Sequence, residues 1–195
     1  MKRSTLIGGL AVGFALAMTV AAPASATPVQ IIPWEESFTE VLEVGAENWC
    51  PPEVVDFDVT YSVDGGGIDR IYTQHDGIIR FAGTFKAVET YSANGKTFMI
   101  ESQGNRRDHK IVDNGDGTLT IQFKNSVKST VSIDGEFLFH DSGLDEGAFL
   151  VDHNGTPTLP DDDIFLGVIG EPQFHGRSDT VGRDFCEDIA FYLAP

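Results

Sequence analysis

His75, His109, His140, His153 and His175 are the side chains best suited to carry a proton or bind a metal near neutral pH. No two of them form His-x-His or His-Glu-x-x-His, the spacings that place two imidazoles on one side of a metal. No metal and no cofactor is therefore expected. His140-Asp141-Ser142-Gly143 contains the residue types of a hydrolytic triad in a row. Neighbours along a chain seldom face one another, and no Gly-x-Ser-x-Gly elbow is present, so these residues read as a turn. Asp113-Asn114-Gly115-Asp116-Gly117-Thr118 resembles the start of a calcium loop. Its third and fifth positions are glycines and its twelfth is Lys124, so it too reads as a hairpin turn. Asp152, Asn154 and the aspartates 161–163 could offer oxygens to a hard cation only weakly. Arg106, Arg107, His109 and Lys110 form the one local basic cluster, a possible anion site set against the plainer reading of a solvated strand face.

The chain has 195 residues and a formal net charge of −17. Residues 27–69 hold ten acids and residues 129–176 another ten, neither with a Lys or Arg. Residues 70–128 between them hold nine bases and six acids. A surface this negative repels nucleic acid and anionic lipid, and neither is expected as a partner. At the start of the chain, Lys2 and Arg3 precede an apolar run over residues 6–20, followed by Ala24-Ser25-Ala26. That is the layout of a cleavable secretory signal over residues 1–26. The run is broken by Gly8, Gly9 and Gly13 and is too short for a membrane span. Cleavage before Thr27 leaves one β-rich domain over residues 27–195 in an extracellular setting.

Cys50 and Cys186 are the only cysteines. An even count in an exported chain, without a Cys-x-x-Cys pair, reads as a disulfide. Closing so long a loop contributes about 4–5 kcal/mol in the chain-entropy model.

The elements that must position these residues alternate with period two. Val55, Phe57, Val59, Tyr61 and Val63 share one face of a strand, and Val54, Asp56, Asp58, Thr60 and Ser62 the other. The same pattern recurs at 79–87, 118–124 and 127–133, and more weakly at 37–44, 68–73, 97–101, 136–140 and 148–152. Turn signals lie between them at Asp64-Gly65-Gly66-Gly67, Asp76-Gly77, Asn94-Gly95, Asp116-Gly117, Asp134-Gly135 and Asn154-Gly155. These features predict an all-β fold: an antiparallel barrel or curled sandwich around a single core. Residues 164–169 are apolar on both faces, so a cover is expected over them. The one amphipathic helix, from a cap at Asp179 or Thr180 to about Leu193, is expected to be that cover, with Cys186 pinned to Cys50.

Three stretches carry a resemblance. They are residues 110–123, Leu150-Val151-Asp152-His153-Asn154-Gly155-Thr156-Pro157, and Gly182-Arg183-Asp184-Phe185-Cys186-Glu187. Over about residues 36–193 the chain resembles a family of uncharacterised secreted proteins from actinobacteria. That resemblance implies export, a β-rich fold and an actinobacterial host. The family has no assigned activity, so it supplies no catalytic residues.

The residues favour a non-catalytic β-barrel that binds a small apolar molecule or an extracellular partner surface. A barrel enzyme of cyclase or dirigent-like type is the alternative, because such sites leave almost no linear motif. A structural or inhibitory protein without a pocket is the third. Nothing in the sequence sets the oligomeric state.

Overall fold

The computed structural model describes residues 29–73 and 77–195. The export segment over residues 1–26, His75 and Asp76 lie outside the described residues. Seven strands follow in chain order: β1 (Gln30–Leu42), β2 (Val59–Thr73), β3 (Ile79–Ala93), β4 (Lys96–Asp113), β5 (Thr118–Ile133), β6 (Glu136–Asp152) and β7 (Ile164–Ser178). A 3-10 turn at Pro160–Asp162 precedes β7, and one helix, α1 (Phe185–Leu193), ends the chain. All seven strands form one sheet whose spatial order is the chain order, and every neighbouring pair is antiparallel. No described helix is long and apolar enough to cross a membrane.

The all-β antiparallel class and the single C-terminal helix are as predicted. Among the described residues barrel closure and a second sheet are not present: β1 and β7 each pair on one side only. In an up-and-down sheet of seven strands the first and last run in the same direction. Closing it would need a parallel ladder, which is less stable per residue than the antiparallel ladders used throughout.

The strands are longer and fewer than the pattern implied. Asn94-Gly95 and Asp134-Gly135 turn with positive φ at both residues, the geometry that suits a two-residue hairpin. Asp64-Gly65-Gly66-Gly67, expected to break the chain, instead runs through the middle of β2 and pairs on both sides. Here glycine permits close approach. The indole of Trp34 lies across Gly67, where a Cβ would sit 3.0 Å from two of its ring carbons and 2.0 Å from the Thr84 carbonyl oxygen. The Phe85 ring lies across Gly104 in the same way, and Phe123 across Gly147. His140-Asp141-Ser142-Gly143 is also interior strand, in β6, rather than a turn. Conversely residues 54–58, read as the start of a strand, form a loop that buries Val55 completely.

Two packed ends replace the single core. At one end Val55, Val59, Tyr91, Phe98 and Val131 pack under Ile189 and Leu193 of α1 and against Cys50. At the other, Ile111, Leu119 and Val151 pack with Ile78, Ile121 and Phe149. Strand register places these clusters at opposite ends of the sheet.

Helix α1 starts later than predicted, capped by Asp184, whose carboxylate accepts from the backbone N–H groups of Cys186 (2.8 Å) and Glu187 (3.2 Å). Asp179 and Thr180 are engaged elsewhere, Asp179 accepting from the His140 N–H and Thr180 donating to Asp141. The helix does not cover residues 164–169. It lies over β4, tied by the Cys50–Cys186 disulfide at its start. At its end the Asn94 side chain donates to the Leu193 carbonyl at 2.9 Å, and Lys96 donates to that of Ala194. These ties hold α1 at the end of the sheet where β3 meets β4, whereas 164–169 sits at the opposite end of an edge strand. Ile164, Phe165, Leu166, Val168 and Ile169 are accordingly exposed, Phe165 by 61%.

Candidate functional site

The row Glu40, Tyr61, Tyr91, Phe98 runs across four strands in direct register, so all four side chains project from one face. Beside this row the loop after β1 brings Trp49 next to Cys50, and the disulfide sets Phe185 of α1 against the same face. The rings then meet. Tyr61 and Tyr91 stack with centroids 4.8 Å apart, Trp49 lies nearly parallel to Tyr91 at 6.3 Å, and Phe185 meets Tyr91 edge-on at 5.2 Å. They bound a cleft of about 380 Å³ whose wall includes Leu42 and the two cysteines, with exposed Glu40 and Asn48.

Glu89 organises the polar side of the cluster. Its carboxylate accepts from the Tyr91 hydroxyl at 2.9 Å and from the Tyr61 hydroxyl at 3.4 Å. Burial, and then the charges of Glu89 and Glu40, push the Tyr61 phenol up to about 12. Burial, followed by Glu89, raises that of Tyr91 further. Both phenols are thus fixed as neutral donors at physiological pH. The cleft wall contains no Lys, Arg or His.

A smaller cavity of about 150 Å³ lies at the opposite end, walled by Ile71, Ile79, Phe81, Ile111 and Ile121 with Arg80, Asp108 and Asp163 among them. Asp108 accepts from the Phe81 N–H at 2.8 Å. Burial pushes its carboxyl up to about 6, against the opposing effects of that hydrogen bond and of Arg80. Burial, then Asp162, also raises Asp163.

The basic cluster is not gathered onto one face. Arg106 is opposite Gly83 and Arg107 opposite Ala82, consecutive strand positions that alternate between faces. Arg106 pairs with Asp69 at 3.5 Å and lies over the Phe81 ring at 5.1 Å. A register shift between Asp108 and Lys110 leaves His109 unmatched, and Lys110 stands opposite Gln122. The triad residue types stay apart, with His140 Nδ1 3.4 Å from the Thr130 hydroxyl and Asp141 bonded to Thr180. In the acidic loop, Asp152 accepts from the Asn154 N–H, the Asn154 side chain donates to the Asp162 carbonyl, and Thr156 donates to the Asp162 carboxylate. Those oxygens close a loop. Among the described residues no three His, Cys, Asp or Glu side chains are grouped to hold a metal.

Cys50 and Cys186 are bonded as predicted, with Cα atoms 5.5 Å apart, a bridge that belongs to an oxidising compartment. The sequence did not single out the aromatic cleft. Trp34 and Trp49, lying among acids, read from the sequence as covers of the sheet edge more readily than as ligand anchors; Trp49 lines the cleft, Trp34 does not, and the rest of the wall comes from strands and a helix far apart in the chain. Comparison with family models, with curated proteins and with solved structures finds no match for this chain.

Proposed function

We propose that the protein is an exported, non-catalytic binding module whose small ligand enters the aromatic cleft between the sheet and α1. The observation carrying this reading is the cleft itself: four rings on a wall fixed by a disulfide, with Glu40 and Asn48 as the exposed polar side chains among them. Binding sites are mostly apolar and aromatic, with a few polar groups that set orientation, and sites near 300–1,000 Å³ suit small molecules. Every hydroxyl at the cleft is committed to Glu89, and no nucleophile–base pair points into it. Chemical-shift mapping with neutral probes such as toluene and cyclohexanol tests the reading. Saturable shifts confined to Leu42, Trp49, Tyr61, Tyr91 and Phe185, and lost in Trp49→Ala, are expected. Shifts spread over the exposed edge strand β7 instead would refute it. Export is tested by sequencing the N-terminus of released protein, where Thr27 is expected and Met1 would refute it.

The alternative of a cavity enzyme has one observation in its favour, the meeting of Arg80 and Asp108 in the apolar cavity at the other end of the sheet. A carboxyl held near pH 6 could exchange protons at neutral pH. That cavity, at about 150 Å³, is small for a substrate, which favours the binding reading.

A further inference from the structure

We infer that the ligand of the aromatic cleft is a small organic cation, a methylated ammonium or protonated amine, an inference that rests on the binding reading above. Three features point to this chemistry. The first is the rings. Trp49 and Tyr61 line the wall and are only partly buried; Tyr91 covers one face of Tyr61, and the remaining surface of both rings borders whatever enters. A cation held over such faces is attracted by their quadrupoles, and the attraction strengthens as water is excluded.

The second is the sign of the surrounding charge. Glu40 is an exposed carboxylate in the wall, in register with Tyr61. Glu36, four residues back along β1 on the same face, stands opposite Gly65, and Glu89 lies beneath the two phenols. No wall residue is basic. An anionic ligand would meet repulsion from these carboxylates, and a neutral one would gain nothing from them. The third is the field of the whole chain, −17, which raises the local concentration of cations before contact.

The ring cluster alone has a structural explanation, since Tyr91 and Phe98 belong to the packed core under α1. The carboxylate at the opening and the absence of any wall base do not follow from packing. A core needs neither.

The test uses the mature, disulfide-bonded chain carrying Trp34→Phe, which keeps a ring over Gly67 and leaves Trp49 as the sole indole. Its fluorescence is titrated with choline and with 3,3-dimethyl-1-butanol, the uncharged isostere. Choline is expected to bind at least about tenfold tighter, with an affinity that falls as salt rises. Glu40→Gln, at an exposed position, should weaken choline several-fold and leave the isostere unchanged. Equal affinity for the two probes, or a Glu40→Gln variant with unaltered choline affinity, overturns the cation inference and leaves the binding reading standing. No saturable response to either probe, with no shift from the neutral probes of the mapping experiment, overturns both.

Discussion

At the scale of single residues, two kinds of position decide this fold: glycines under rings and one half-buried carboxyl. A glycine inside a strand normally weakens it. Here the space left by the missing side chain is filled by the neighbouring strand's ring, so the ring is half-buried without leaving the sheet. At Gly104 a Cβ would stand 2.2 Å from the Ser126 carbonyl oxygen and 3.0 Å from a ring carbon of Phe85. The ring can move, but the paired backbone cannot. Gly104→Val is therefore expected to lower stability by roughly 1–3 kcal/mol, read from the urea midpoint. A neutral outcome would show that the close approach is incidental. Asp108 acts through pH. Its folded value of about 6 lies above the ordinary 3.8, so the folded state prefers the protonated acid. The stability this gives is complete below pH 3.8 and is lost as pH rises through about 6. The difference between the two values corresponds to roughly 3 kcal/mol at most. Asp108→Asn keeps an oxygen for the Phe81 N–H and removes the charge. Between about pH 4 and 6 the unaltered protein should lose stability relative to this variant; parallel pH profiles would contradict that.

At the scale of elements, what was legible in the sequence was local. Period-two alternation identified strand material along most of the sheet. Asn94-Gly95, Asp116-Gly117 and Asp134-Gly135 identified turns because positive φ is a property of the dipeptide itself. The disulfide was legible from the count of two cysteines. What failed depended on partners elsewhere in the chain. Gly65-Gly66-Gly67 resembles a break unless one knows that Trp34 lies over it. Residues 164–169, apolar on both faces, implied a cover that edge strand β7 lacks. The cleft was not legible as a site because its wall spans residues 40–186 and exists only once β1, β2, β3, the loop at Trp49 and α1 converge. Helix α1 is the element that completes it. Ile189 and Leu193 are fully buried, so Ile189→Asp would place an unpaired charge in the core and is expected to cost on the order of 3–5 kcal/mol. Hydrogen exchange of that variant adds the topological test. Amides of Tyr91 and Phe98 should lose protection, while those of residues 164–169 should not change. Deprotection of 164–169 would mean that α1 covers β7 after all.

At the scale of the whole molecule, the open sheet leaves two edges, and they are unequal. The β1 edge carries Glu35, Glu36 and Glu40, with Pro33 lacking an N–H donor. Charge and proline on an edge oppose pairing with another chain. The β7 edge has Glu171, His175 and Arg177 in its second half only, and its first half, Ile164-Phe165-Leu166-Gly167-Val168-Ile169, is uncharged and exposed. Pro172 also falls in the second half; among the described residues the first half is defended by irregular pairing with β6, where the register shifts between Leu150 and Val151 and again between Glu146 and Ala148. A long apolar edge of this kind is where association between copies begins. The net charge of −17 opposes that association at long range, but salt screens it while leaving the apolar edge unaffected. Self-association should therefore grow with protein concentration and with salt, the reverse of what an ion-paired interface would do. Sedimentation velocity at low and high salt measures it. The double variant Leu166→Lys plus Val168→Lys, both at exposed positions, should stay monomeric under the same conditions with an unchanged melting temperature. If the unaltered protein remains monomeric at high salt and high concentration, the irregular pairing along β7 is enough to protect the edge on its own.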